Sequence, residues 1–205
     1  MIETQQKFNV IDSTIISRLI NDYNSRGVYD TDTMNKADPG KSLHIVHETL
    51  ENTLGRKLEY VTGNFYKHSK PYLPHTDFKT YEQNYLNVVI PLSYSGEQAS
   101  LVIFDQVWEQ DSVTWCMHNL VQHFIYNIGV KGCPHEYPVK GLTALDIDNT
   151  LYQYLSHYPK KSLFGLTGNA YSFELGSVIA FDNRLIHCTS KMNGEKLGLS
   201  LRFKQ

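Results

Sequence analysis

The last strand-like run of the chain alternates without a break. Leu197, Leu199, Leu201 and Phe203 fall on one face, and Lys196, Gly198, Ser200 and Arg202 on the other. Successive side chains of a strand point to opposite sides of its sheet, so this run separates an apolar environment from one that receives two cations. Buried beneath a second sheet, those cations require an anion, and the ligand of that face is then a carboxylate. On an exposed edge they would simply be solvated.

Other runs have the same texture. Residues 58–62, 85–92 and 100–104 read as strands, as do 171–174 and 177–181, with turn residues such as Ser95-Gly96-Glu97 between them. Ahead of them, Ile11, Ile15, Ile16, Leu19 and Ile20 recur at helical spacing with Asp12 or Ser13 as cap and Gly27 past the end, predicting a helix over 13–25. Leu43, Ile45, Val46, Leu50 and Leu54 predict a second helix that Gly55 terminates. Helices first, then two sets of short strands around a looser stretch, predict a mainly β sandwich or barrel with flanking helices. The expected single domain divides into helical support at 1–56, a β core at 57–104 and 171–204, and an insertion at 105–170 that contains a short helix near 149–157 capped by Asp148.

Composition narrows the function. The 205 residues carry 19 basic and 21 acidic side chains, with 41% hydrophobic and 12% aromatic content. That is enough apolar bulk for a core, and disorder is excluded. With no cluster of Lys or Arg, nucleic acid and an anionic membrane are disfavoured as partners. Apolar runs stay well short of the ~20 residues that cross a bilayer, and Met1-Ile2-Glu3-Thr4 lacks the basic and apolar regions of a secretory leader. Cys116, Cys133 and Cys188 form no disulfide framework. A cytoplasmic protein with a pocket is expected, and the sequence leaves its oligomeric state open.

The sharpest chemical signal is Pro74-His75-Thr76-Asp77. In extended backbone His75 and Asp77 point the same way and can grip one metal ion. His187, directly after the run Ser177–Phe181 and its polar turn, is the best third ligand. Two imidazoles and one carboxylate on one face suit Fe(II) and leave positions open for an oxygenase.

These residues resemble the signature of the Fe(II)- and 2-oxoglutarate-dependent dioxygenases, particularly the phytanoyl-CoA and prolyl hydroxylase branches. That signature is a histidine, any residue, an acidic residue, then a distant histidine and a basic residue on the last core strand. The resemblance covers residues 57–104 and 171–204 and implies a double-stranded β-helix, a jelly roll of the cupin type. It implies His75, Asp77 and His187 as catalytic iron ligands, and Lys196, with Arg202 as rival or helper, holding the distal carboxylate of 2-oxoglutarate. Tyr66 and Asn87 are placed to hydrogen-bond that cosubstrate. The implied reaction is oxidative decarboxylation of 2-oxoglutarate by dioxygen, coupled to hydroxylation of a small molecule or peptide. The insertion at 105–170 would form a lid over the mouth.

Other signals compete. Asp146-Ile147-Asp148-Asn149-Thr150 matches the nucleophile motif of haloacid-dehalogenase-like phosphatases, although the residues that follow read as β. A cupin-like module that binds metal without 2-oxoglutarate is a non-enzymatic alternative. His118, His123, Cys133 and His135 fit no structural zinc spacing, and His44 with His47 lacks a third ligand.

Overall fold

The computed structural model describes residues 3–25, 34–35, 40–77, 85–108 and 139–204. Helix α1 (Ser13–Ser25) begins where the Asp12 carboxylate accepts the backbone N–H groups of Thr14 and Ile15 at 2.7 and 2.9 Å. Helix α2 (Gly40–Leu54) ends at Gly55, whose φ of 66° lets the Arg56 N–H reach the Glu51 carbonyl. Buried Leu19 and Tyr23 of α1 meet Val46 and Leu50 of α2, as the apolar stripes predict.

Among the described residues there are ten strands: β1 (Gln5–Lys7), β2 (Met34–Asn35), β3 (Glu59–His68), β4 (Tyr85–Tyr94), β5 (Ser100–Trp108), β6 (Val139–Lys140), β7 (Gly168–Ser172), β8 (Val178–Asp182), β9 (Leu185–Thr189) and β10 (Lys196–Lys204). Six form a sheet in the order β1-β8-β4-β10-β3-β2. In the second sheet β5 pairs with β6, β7 and β9, all antiparallel. Because Ile103 pairs with both Asn169 and His187, β7 and β9 lie on opposite edges of β5.

Register assigns the faces. Leu199 sits opposite Phe65 on β3 and Ile90 on β4, and all three turn toward the helices. Ser200, opposite Asn64 and Val89, therefore turns the other way, into the space between the sheets. That interior is filled by Tyr66, Val89, Leu101, Phe173, Ile179 and Phe181. Two antiparallel sheets closed face to face over one interior make the double-stranded β-helix, mainly β with flanking helices.

The insertion departs from expectation. Its segment 109–138 lies outside the described residues, as does Gly27. Within 142–166 the chain packs beneath the smaller sheet. Ile147, Leu151, Leu155, Leu163 and Leu166 close over Val102 and Phe104 of β5 and Ile186 and Cys188 of β9. A small sheet whose outer face is apolar must be covered, and this segment covers it. Helix α3 (Asn149–Tyr152) is shorter than predicted, giving way to turns and a 3-10 turn at Lys160–Leu163. Asp148 caps it, its Oδ1 accepting from Thr150 and Leu151 N–H.

Candidate metal centre

His187 lies in the middle of β9 with its side chain inward. His75 sits beside it through a two-way backbone bridge: the His75 N–H donates to the His187 carbonyl at 3.0 Å, and the His187 N–H returns the bond at 2.8 Å. The chain before it follows β9, with the Thr189 N–H on the Tyr72 carbonyl. The ladder thus sets two distant histidines side by side, with ring centroids 4.2 Å apart. Asp77, two residues past His75, turns to the same side.

Each imidazole is oriented by its own strand. Nδ1 of His75 bonds the Leu73 carbonyl at 2.8 Å, and Nδ1 of His187 bonds the Leu185 carbonyl at 3.0 Å. With the proton on Nδ1, both Nε2 lone pairs face inward. His75 Nε2 lies 3.9 Å from Asp77 Oδ1, and His187 Nε2 lies 3.6 Å from Asp77 Oδ2. One ligand atom from each residue lies within 4.8 Å of the others. Tyr72 packs edge-on against His75, and Phe181 against His187.

Burial, reinforced by the neighbouring His187, pushes the His75 imidazole down to about 3. Burial lowers His187 as well, against the pull of Asp77. Both rings are therefore neutral at pH 7, the form that ligates metal. For Asp77, burial opposes ionisation, but the imidazoles of His187 and His75, the Arg202 guanidinium and the Asn87 amide outweigh it and hold the carboxyl below its usual range.

A cavity runs from this cluster to Lys196, walled by Tyr66, Tyr72, Val89, Leu101, Thr189 and Ser200. Lys196 is only 3% exposed. Its Nζ donates to Thr189 Oγ1 at 2.7 Å and sits 5.5 and 5.1 Å from the ring centres of Tyr66 and Phe173. Among the described residues no carboxylate pairs with it, and burial draws its ammonium down to about 7. Tyr66 is held over Gly198, where a Cβ would fall 2.3 Å from the phenol oxygen. Burial raises the pKa of that phenol, so it stays protonated, and it makes no hydrogen bond among the described residues.

The structure thus gathers His75, Asp77 and His187, and places Lys196 and Tyr66 along one cavity. Two residues stand elsewhere than the sequence suggests. Asn87 donates from Nδ2 to Asp77 Oδ2 at 2.7 Å instead of facing the cavity, and Arg202 Nη2 lies 3.9 Å from Asp77 Oδ1, at the opposite end from Lys196. They miss the cavity because β10 carries Arg202 far past Lys196 along the strand, with Asn87 as its cross-strand neighbour. Thr189 and His68 border the cavity unforeseen. Thr189 was legible by the alternation that joins His75 to Asp77, since it stands two residues beyond His187.

The competing signals find structural roles. Asp148 is a helix cap with antiparallel neighbours, not the end of a parallel strand. His47 bonds the Leu58 carbonyl at 2.6 Å and stacks on Phe203. His118, His123, Cys133 and His135 lie outside the described residues. Among the described residues no His, Cys, Asp or Glu grouping other than His75, Asp77 and His187 has metal-binding geometry, and no helix is long and apolar enough to cross a membrane.

No protein-family model and no curated protein matches the sequence. Solved structures do match in shape. The α-ketoglutarate-dependent epimerase SnoN from nogalamycin biosynthesis superposes with a TM-score of 0.55 at 10% identity, covering 98% of this chain and 77% of its own. A Pseudomonas putida prolyl-4-hydroxylase gives 0.53 at 12% identity, covering 98% and 92%. HygX from Streptomyces hygroscopicus, with nickel and 2-oxoglutarate bound, gives 0.55 at 11% identity, covering 98% and 82%. The chain therefore has the double-stranded β-helix fold shared by iron- and 2-oxoglutarate-dependent enzymes, with a buried His-Asp-His cluster between its sheets.

Proposed function

We propose that this chain is an Fe(II)- and 2-oxoglutarate-dependent dioxygenase that hydroxylates a small molecule or peptide. The observation that carries the reading is Lys196: a buried ammonium with no carboxylate partner among the described residues, at one end of a cavity whose other end is three converging ligand atoms. A buried cation in an apolar wall costs several kcal/mol unless it is paired, and a ligand carboxylate supplies the missing partner. The donor set fits a ferrous ion, with two neutral imidazoles and one ionised carboxylate.

Bound there, iron and 2-oxoglutarate supply the oxidising chemistry, in which dioxygen is consumed, the keto acid becomes succinate and carbon dioxide, and one oxygen atom enters a substrate C–H bond. The protein's own residues bind and orient. His75, Asp77 and His187 hold the ion. Lys196 and Thr189 receive the distal carboxylate by charge-assisted hydrogen bonds, and the Tyr66 hydroxyl, poised over Gly198, donates a further one. Phe173, Leu101 and Val89 exclude water from the cavity. Of the similar structures, SnoN is an epimerase and SnoK a carbocyclase. We assign hydroxylation because the signature here resembles the hydroxylase branches. The reducing cytoplasm would keep the iron ferrous.

The test is consumption of 2-oxoglutarate under labelled dioxygen. Iron-dependent succinate carrying one labelled oxygen, formed even without substrate and abolished in His187→Ala, is expected. Metal binding with no affinity for 2-oxoglutarate would overturn the reading and favour a cupin-like binding module.

A further inference from the structure

Resting on that reading, we infer that Asn87 is a positioning residue which, with its cross-strand neighbour Arg202, fixes how Asp77 presents its carboxylate to the ion. Asn87 and Arg202 are register partners on β4 and β10 and project from the same inner face. Asn87 is 1% exposed, and its Nδ2 donates to Asp77 Oδ2 at 2.7 Å. Arg202 Nη2 stands 3.9 Å from the other oxygen, Oδ1. The two strands thus each bring a polar group to one oxygen of the Asp77 carboxylate.

A carboxylate oxygen that accepts a short hydrogen bond has less electron density to offer a metal. The Asn87 amide engages Oδ2 and leaves Oδ1 as the better ligand atom, which favours coordination through one oxygen. The number of open positions depends on this. With one oxygen bound, three positions remain for a chelating keto acid and dioxygen. A carboxylate bound through both oxygens takes one of them. Such outer partners of metal ligands commonly change affinity by about 10–100-fold when removed. Asn87 touches neither cavity nor ion in this arrangement, so its effect passes through Asp77.

Cobalt(II), a spectroscopic stand-in, and Fe(II) with 2-oxoglutarate under anaerobic conditions test this on the whole chain. In Asn87→Ala, and in Asn87→Val, whose branched side chain suits a strand, cobalt affinity is expected to fall about tenfold or more. The ligand-field bands should shift, while far-ultraviolet dichroism and the apo unfolding midpoint stay near wild type. The charge-transfer band of the iron chelate should weaken beyond what lost metal occupancy explains. Unchanged cobalt spectra and affinity in a folded variant would overturn the inference. Should both variants fail to fold, infrared difference spectra of the wild-type cobalt protein decide it: wide splitting of the Asp77 carboxylate stretches supports one-oxygen binding, and narrow splitting overturns it. Failure of the underlying reading looks different, because wild type would then bind no metal, or His187→Ala would bind it equally well.

Discussion

Lys196 is a buried cation held in a mostly aromatic wall. Burial lowers it from 10.5 to about 7, so between those pH values the unfolded chain holds a proton that the folded chain has lost. Stability of the ligand-free protein therefore rises with pH across this window, by at most about 1.4 kcal/mol per pH unit from this group. Urea unfolding at pH 7 and pH 9 should show that slope in wild type and lose it in Lys196→Met, which should also be the more stable protein at pH 7. Binding of 2-oxoglutarate should take up a proton and weaken as pH rises above 7, a linkage that calorimetry in buffers of different ionisation heat measures directly. Gly198 is the second sensitive position. Overpacking of this kind costs about 1–3 kcal/mol, and in Gly198→Ala the new methyl group must displace Tyr66. An affinity for 2-oxoglutarate weakened about tenfold or more in a folded protein is expected, read by anaerobic titration. At this scale His75, Asp77 and Lys196 were legible because strand alternation fixes their side. The hydrogen bond from Asn87 to Asp77 was not legible, because it joins two segments whose meeting no local pattern encodes.

Among the elements, β10 was legible in full, since its leucine row faces helices and its polar row faces the site. β9 was harder. Leu185–Thr189 is buried on both sides, so it lacks alternation, and it reads as the tail of the preceding apolar run broken by Asp182-Asn183-Arg184. Edge strand β1, Gln5-Gln6-Lys7, is polar and is held by pairing to β8 and by Gln6 Nε2 donating to the Ser172 carbonyl, which leaves no trace in hydropathy. The lid expected over 105–170 came from the family resemblance, and the apolar residues within 142–166 show no strand period that would have pointed elsewhere. Their regularity is instead that of a cover fitted to β5 and β9. If so, Leu155→Ala or Leu163→Ala, both fully buried there, should cost about 2–5 kcal/mol in urea unfolding. Metal affinity, set on the other face of β9, should be nearly unchanged. A loss of metal binding with little loss of stability would place the segment at the mouth after all.

For the molecule as a whole, the described residues stack as helices, large sheet, site, small sheet and apolar cover, with one core in each of the three interfaces. The outer two are built mainly from aliphatic and aromatic side chains. The middle one encloses His75, Asp77, His187 and Lys196, buried polar groups that a metal and an anion between the sheets would satisfy. Optical titration of the Fe(II)-loaded protein with 2-oxoglutarate under anaerobic conditions tests this most directly. The account expects a weak visible charge-transfer band that saturates at one equivalent, disappears in His187→Ala, and requires far higher 2-oxoglutarate concentration in Lys196→Ala but not in Arg202→Lys. No band in the iron-loaded wild type, or a band indifferent to Lys196, would contradict it.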